Sequence, residues 1–303
     1  MANKLIVESS PHRHKGVFTN NIMLDVLIAL LPAVIASAVL FGFRALVLVF
    51  VSAAFSLLCE YLFNVITKTR QTVGDLSALV TGVLLALNVP AGIPFYILLI
   101  GDFFAIIIVK ALFGGIGKNF ANPAITARIV LMIAFPSAMA TFLEPFYDTV
   151  ASATPLADKS ASYMDLFLGN VSGSIGEVSA LALIIGGIYL LCRKVISPII
   201  PLSFIGTVAL ISFIAGEDPL YAVLSGGLLL GAIFMATDYV TSPVSDRGKW
   251  IFGIGCGIIT ALIRLYGSYP EGVSFSILLM NICTPLIEKI PGRKPFGAKE
   301  AGK

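Results

Sequence analysis

The sequence predicts an all-α polytopic membrane protein of about ten transmembrane helices, arranged as two inverted five-helix repeats with broken helices. Three observations carry that expectation: the apolar runs, the one-sided distribution of basic residues, and a pattern that returns half a chain later.

Of 303 residues, 57% are hydrophobic and 12% charged, where a soluble domain carries about 25% charged. Mean hydropathy is +0.96. Eight full apolar runs cover 22–43, 45–66, 93–112, 178–192, 199–215, 219–237, 250–266 and 273–290. Two more are compromised. Residues 75–89 are short for a span of about 17–25 residues. Residues 120–136 carry Asn122, Pro123, Thr126 and Arg128. The first run follows 21 mostly polar residues without a small-residue cleavage site, so no removable signal peptide is expected.

Ten spans sort the basic residues by side. Sixteen fall on one face, among them Lys68, Arg70, Lys110, Lys118, Arg193, Lys194, Arg247 and Lys249. Only Arg44 and Lys159 fall on the other, and Arg128 and Arg264 lie within apolar runs. The positive-inside rule then places both termini in the cytoplasm of a bacterial cell, and no nucleic-acid partner is needed to explain the basic residues. The expected organisation is a cytoplasmic segment 1–21, a first membrane half 22–136, an extracytoplasmic loop 137–177, a second half 178–290 and a cytoplasmic tail 291–303.

The internal repeat reads LSALVTGVLL at 76–85 and LYAVLSGGLL at 220–229, an offset of 144 residues. Charge sorting runs the first copy outward and the second inward, the mark of inverted repeats with sites near the midplane where helices break. Residues 114–136, GGIGKNFANPAITARIVLMIAFP, fit such a break, because Gly, Asn and Pro precede an Arg among aliphatics. The stretch is not a phosphate-binding Walker A loop: Leu112 stands five before Gly117, and Asn119 follows Lys118 where Ser or Thr is required.

Ionisable residues inside apolar runs are functional candidates by default. They are Asp25, Glu60, Asp102, Arg128, Asp238 and Arg264. Asp238 lies in MATDYVTSP, which reads as an unwound helix end facing a polar pocket, whereas Gly227/Gly231 and Gly253/Gly257 read as close helix packing. Cys59, Cys192, Cys256 and Cys283 are scattered singly, so cluster or zinc ligation within this chain is not expected.

One polar stretch interrupts the pattern: YDTVASATPLADKS, 147–160. A hydrolytic role for Ser152 or Thr154 needs a base, yet His12 and His14 are expected across the membrane. Asn170-Val-Ser fits a glycosylation sequon and leaves the Asp148–Thr154 pattern unexplained. Two readings of the stretch stay open: a hydroxyl presented in an accessible loop for modification, or an ordinary polar loop. Pro155 biases Thr154 to extended backbone in either case.

The motif GGIGKNFANPAITARIVLMIAFP followed by DTVASATPL, with SSPHRHKGVFTNNIMLDVLIALLPA at the amino end, resembles the NqrB/RnfD family. RnfD belongs to the Rnf complex, and its homologue NqrB to the sodium-pumping NADH:quinone reductase; the Rnf member is the better match. The likeness runs from about Ser9 to Pro285. In that family D-x-x-(Ser/Thr)-Gly-Ala-Thr receives FMN through a phosphoester on its last Thr, attached by a flavin transferase. Asp148, Ala153 and Thr154 match here; Ala151 and Ser152 depart from the pattern.

The resemblance implies covalent FMN on Thr154 as an electron relay, with Asp148 and Ser152 beside it. It also implies a second, non-covalent flavin (riboflavin) held by Asn119, Asn122 and Asp238. Na⁺ or H⁺ movement through Glu60, Asp102 and Asp238 follows from the same likeness. So do a fold similar to urea and ammonium channels and, as partners in the inner membrane lipid, the other Rnf proteins (RnfA, RnfB, RnfC, RnfE and RnfG). A chain of this kind belongs to an ion-translocating ferredoxin:NAD⁺ oxidoreductase and is not catalytically complete alone. The alternative is a urea/ammonium-type solute channel, in which 114–136 lines a pore.

Overall fold

The structure is a computed structural model that describes residues 18–146, 151, 152, 154–159, 161–267 and 272–290. It is a mostly helical chain whose helices fall on all ten apolar runs. Three of them, Thr19–Phe41, Phe43–Ile66 and Asp246–Tyr266, are long and apolar enough to cross a membrane by length and composition. Large apolar side chains remain outward, and in α1 (Thr19–Phe41) they fall on one stripe: Leu24, Ile28, Leu31, Ile35 and Val39 are exposed while Ala29, Leu30, Ala33 and Ser37 are buried. A surface this apolar suits lipid and not water. Together these features describe a multi-pass membrane protein.

The first half runs α1, α2 (Phe43–Ile66), a 3₁₀ turn at Val73–Asp75, α3 (Ser77–Leu87), α4 (Phe95–Phe103, continuing as a π-helix over Phe104–Ala111) and α5 (Pro123–Ala134). Short elements follow: α6 (Pro136–Ala140), a two-residue antiparallel ladder of β1 (Phe142–Leu143) with β2 (Ala151–Ser152), α7 (Pro155–Asp158) and α8 (Tyr163–Leu168). The second half runs α9 (Ala180–Cys192), α10 (Ile199–Ile214), α11 (Pro219–Leu224), α12 (Leu228–Leu230, continuing as a π-helix over Gly231–Met235), α13 (Asp246–Tyr266) and α14 (Val273–Ile287).

Packing follows the small residues. On α9, a Cβ at Gly186 would stand 2.1 Å from the Ala29 carbonyl oxygen, so α1 and α9 approach backbone to backbone. A Cβ at Gly257 of α13 would meet Thr207 Cβ at 2.5 Å, which fixes α10 against α13. Gly82 does the same for α3 against α2, its Cβ position lying 2.7 Å from Ser56 Oγ and 2.8 Å from the Ser52 carbonyl oxygen. Gly253 and Gly257 are helix-packing contacts and Gly231 meets Val273 of α14, as their spacing predicts, whereas Gly227 lies at the α11–α12 break against Glu177.

The helices stop where their sequence tells them to. Residues 112–122 turn irregularly through Gly114, Gly115 and Gly117, all with positive φ, before Asn122 caps α5 and Pro123 takes its first position. The two repeat copies behave differently. LSALVTGVLL continues through α3, whereas LYAVLSGGLL breaks at 225–227, where Gly226 adopts φ +65°. The second copy has Gly-Gly where the first has Gly-Val, which removes the side chain that would hold a helical turn.

Broken backbone at this depth needs protein partners. Leu87 and Val89 carbonyls accept from Gly176 and Ile175 amides at 2.8 and 3.0 Å, pairing the end of α3 with the approach to α9. Arg44 covers three further carbonyls, donating to Ala91 at 2.9 Å and to Gly92 and Ile93 at 3.2 Å. Two side chains sit elsewhere than charge sorting expects. Lys110 is 3% exposed and paired with Glu60 instead of marking a wet edge. Glu177, expected in a watery loop, is 4% exposed and paired with Arg128.

Gly186→Ala is expected to destabilise the chain by about 1–3 kcal/mol through overpacking against a backbone oxygen. Gly206→Ala, with open space around its Cβ, should leave stability unchanged or slightly raised. Thermal midpoints of the detergent-solubilised chain check both.

Candidate functional site

Two polar centres and one buried polar row occupy the interior. The first centre forms around Arg128 of α5, which is 3% exposed. Its guanidinium donates to Asn88 Oδ1 at 2.7 Å, to Glu177 Oε1 at 2.5 Å and to Ser174 Oγ at 3.3 Å. Asn88 is the C-cap of α3 and Glu177 precedes α9. A Cβ at Gly227 would lie 2.5 Å from Glu177 Oε1, so the α11–α12 break also closes on this carboxylate. Three chain interruptions thus meet on one ion pair.

Thr154 sits just beyond it. It takes the N-cap position of α7 with extended backbone (φ −71°, ψ 155°), as Pro155 predicts, and it is 7% exposed. The sequence reading of an accessible loop expects it open; instead it is buried and lines a small pocket with Leu166, Val171, Glu177, Leu224 and Gly226. The Tyr221 hydroxyl donates to the Pro155 carbonyl at 3.0 Å and draws the turn onto the α11–α12 break. Beside it a cleft of about 530 Å³ opens between α8, α11 and α13, walled by Tyr163, Tyr221 and Arg264. Arg264 donates to the Ala222 and Ser225 carbonyls at 2.6 and 3.2 Å, serving the broken backbone. Tyr163 hydrogen-bonds the Asp218 carboxylate, and that bond holds the exposed Asp218 carboxyl below the usual carboxylate range. Ser152 pairs by backbone with Phe142 in the β1–β2 ladder. Asp148 lies outside the described residues.

The second centre is a cavity of about 320 Å³ lined by Asn119, Asn122 and Asp238 together with Ser77 and Lys110. Asn122 accepts from the Ala124 and Ile125 amides at 3.0 and 3.3 Å and donates Nδ2 to the Met235 carbonyl at 3.3 Å. Asn119 donates to the Ala121 carbonyl at 3.0 Å. Asp238 accepts from Thr241 Oγ1 at 3.1 Å and from the Val240 amide at 3.4 Å. These residues come from the two stretches that the sequence marks as broken, 114–136 and 235–243, and within them from the parts that are not helical, 114–122 and 236–243. Ile22, Val26, Leu84 and Phe234 supply the apolar walls. Mostly apolar lining with a few converging polar groups is the ordinary make-up of a small-molecule site.

The polar row runs along α2. Ser52, Ser56, Glu60 and Asn64 recur every four residues, so they share one face, and all four are buried. Glu60 Oε1 accepts from Lys110 Nζ and from Thr72 Oγ1, each at 2.8 Å, and Lys110 also donates to Ser77 Oγ at 2.6 Å. Deeper, Asp102 is 0% exposed and accepts from Ser52 and Ser56 hydroxyls at 2.7 and 3.1 Å. The three acids named from sequence therefore do not form one cluster. Glu60 approaches the cavity through Lys110, Asp238 lines it, and Asp102 lies apart in its own oxygen shell. Ser52, Ser56, Lys110 and Glu177 escape a reading based on isolated charges; the i, i+4 spacing on α2 is the signal that could have found the serines.

The sequence model of the NQR2, RnfD, RnfE family matches residues 6–297. The chain is 48% identical to the D component of the Na(+)-translocating ferredoxin:NAD(+) oxidoreductase complex of Acetobacterium woodii, over 99% of this chain and 97% of that protein. It is 39% identical to the D component of the proton-translocating ferredoxin:NAD(+) oxidoreductase complex of Clostridium ljungdahlii, over 98% and 97%. With the D component of the ion-translocating oxidoreductase complex of Stutzerimonas stutzeri it shares 37% identity over 94% of each chain. A match along nearly the whole length, through both half-helices and the segment that carries Thr154, makes this chain a member of the NQR2, RnfD, RnfE family.

Proposed function

We propose that this chain is a membrane subunit of an ion-translocating ferredoxin:NAD⁺ oxidoreductase of Rnf type. The observation that carries the reading is the similarity along nearly the whole chain to the D components of two ion-translocating ferredoxin:NAD(+) oxidoreductase complexes and of a third ion-translocating oxidoreductase complex. A solute channel of the urea/ammonium kind finds no support among these relatives. The chain works within a complex, beside the other Rnf proteins, in the inner membrane with both termini cytoplasmic.

The ten helical segments support an inverted repeat in which α1–α5 correspond to α9–α14. Their contacts fit a pseudo-two-fold arrangement: α1 packs on α9, α5 on α14, α2 on α4, and α10 on α13. Such folds place sites at helix breaks near the midplane, and both polar centres form at helix breaks.

Thr154 is the proposed acceptor of FMN, attached by a flavin transferase through a phosphoester on Oγ. The cleft walled by Tyr163, Tyr221 and Arg264 offers the room that Thr154's own packed surroundings lack, and Arg264 brings positive charge toward it. The cavity holding Asn119, Asn122 and Asp238 is the proposed seat of a second, non-covalent flavin. Its polar wall, with Asn122 and Asp238, suits the edge of a flat heterocycle, and its apolar walls, with Leu84 and Phe234, suit the faces. Flavins, when bound, supply the one-electron redox chemistry; this chain's residues bind, orient and exclude water around them. Glu60, Asp102 and Asp238 are the acids proposed to move the coupled ion.

Two outcomes test the reading. With a flavin transferase co-expressed, the denatured wild-type chain should fluoresce under ultraviolet light in a gel, Ser152→Ala should remain fluorescent and Thr154→Ala should be dark; a dark wild type would overturn the covalent site. Separately, Asp238→Ala should raise the Kd for added riboflavin by roughly tenfold, as loss of about 1.4 kcal/mol of binding predicts, with the covalent band unchanged.

A further inference from the structure

The surroundings of Thr154 have no place for the group it is proposed to accept. The pocket it lines holds about 10 Å³, the lower limit for a single water and far too little for a phosphate. Its wall includes the Glu177 carboxylate, which repels a second negative charge in a low-dielectric interior. Thr154 itself is buried, so an enzyme does not reach its hydroxyl in this conformation either.

The stretch that carries Thr154 is fastened over a short length. Four contacts join 155–163 to 217–226, the turn and helix that lead into the α11–α12 break. The Tyr221 hydroxyl donates to the Pro155 carbonyl at 3.0 Å. Leu156 lies over Gly226, where a Cβ would stand 2.6 Å from its Cδ1. Lys159 pairs with Glu217 at 2.5 Å, and Tyr163 hydrogen-bonds Asp218. The Lys159–Glu217 pair is exposed on both sides, and such pairs contribute little. The more sheltered ties at Pro155 and Leu156 therefore do most to hold the stretch down. A segment fastened by a few contacts opens locally, well below the cost of unfolding the whole chain.

We propose that residues 154–163 form a strap that lifts from 217–226 to present the Thr154 hydroxyl, and that flavin attached there keeps the strap lifted. Attachment breaks the phosphoanhydride of a flavin dinucleotide donor and joins the flavin-side phosphorus to Thr154 Oγ. The hydroxyl proton passes to solvent, and a nucleoside monophosphate leaves. The cleft of about 530 Å³ beside the strap gives the lifted form room to lay the flavin, whereas the closed form excludes the phosphate. One segment thus has two exclusive positions, chosen by whether Thr154 is esterified. The device deepens the proposed function and rests on Thr154 being the acceptor.

The experiment is maleimide labelling of the detergent-solubilised full chain, in a background where Cys192 and Cys283, the two cysteines that are not buried, are replaced by Ser. Thr154→Cys places a thiol at the acceptor position, and Met164→Cys places one at an exposed position of α8. Thr154→Cys should label at least about tenfold more slowly than Met164→Cys, because it reacts only when the strap opens. Adding Tyr221→Phe or Leu156→Ala should speed the Thr154→Cys reaction by about two- to tenfold, the effect of losing one tie, and leave Met164→Cys unchanged. Buried Cys59 and Cys256 should stay unlabelled throughout; a variant in which they react has unfolded, and the other variant decides. Thr154→Cys labelling as fast as Met164→Cys, or unmoved by the added substitutions, overturns the strap. A second arm reads Leu156→Cys in chains made with and without a flavin transferase. The esterified chain should label faster by a similar factor, and equal rates overturn the claim that flavin keeps the strap lifted. A chain that takes up no flavin removes the flavin reading, while the Thr154→Cys rates still judge the strap by themselves.

Discussion

Interrupting helices inside an apolar layer is what this architecture has to solve, and the Arg128–Glu177 pair is where it is solved. Each half-helix end exposes backbone groups that lipid cannot satisfy. Arg128 ties the C-cap of α3 to the segment entering α9, and Glu177 lies against the glycines that break α11 from α12. Removing one partner of a buried pair leaves an uncompensated charge and typically costs about 3–5 kcal/mol. The pair joins α5 to the segment that enters α9, beside the breaks at the end of α3 and between α11 and α12.

The interior is thereby divided by depth and by chemistry. On the side expected to be extracytoplasmic, Thr154 is held over the α11–α12 break and next to a cleft edged by tyrosines and Arg264. On the other side, the unwound 114–122 and 236–243 segments meet around a mostly apolar cavity. Between them α2 carries polar side chains on one face and lipid-facing residues such as Phe50, Leu58, Leu62 and Val65 on another. Lys110 belongs to both systems, bonded to Glu60 on the row and lining the cavity. A change in charge within the cavity is felt by Lys110, and through it by Glu60. In the proposed function, that contact is the physical route that links electron movement with ion movement.

Much of this is legible in the sequence. Apolar runs locate the helices to within a few residues, because in lipid the backbone has few alternatives to a helix. Gly, Asn and Pro locate the breaks, and Asn122-Pro123 announces a capped helix start that the structure contains. Side-chain pairing is less legible. Sorting by charge assigns Lys110 and Glu177 to water because it uses position along the chain, and each proves to be buried against an oppositely charged residue about 50 positions away. The burial of Thr154 is hidden for the same reason: Tyr221, which draws its turn inward, comes from the other half. Ser52 and Ser56 are visible only as a spacing, and a spacing of small hydroxyl residues in a span more often signals packing.

In the proposed function, electron transfer through this chain turns on a flavin phosphate esterified to the oxygen of Thr154. Mass spectrometry of the tryptic peptide between Arg128 and Lys159, taken from the native complex, tests this most directly. The expected result is that peptide with the added mass of a flavin mononucleotide, localised by fragmentation to Thr154. Recovery of the peptide wholly unmodified, from a complex that transfers electrons, would contradict it.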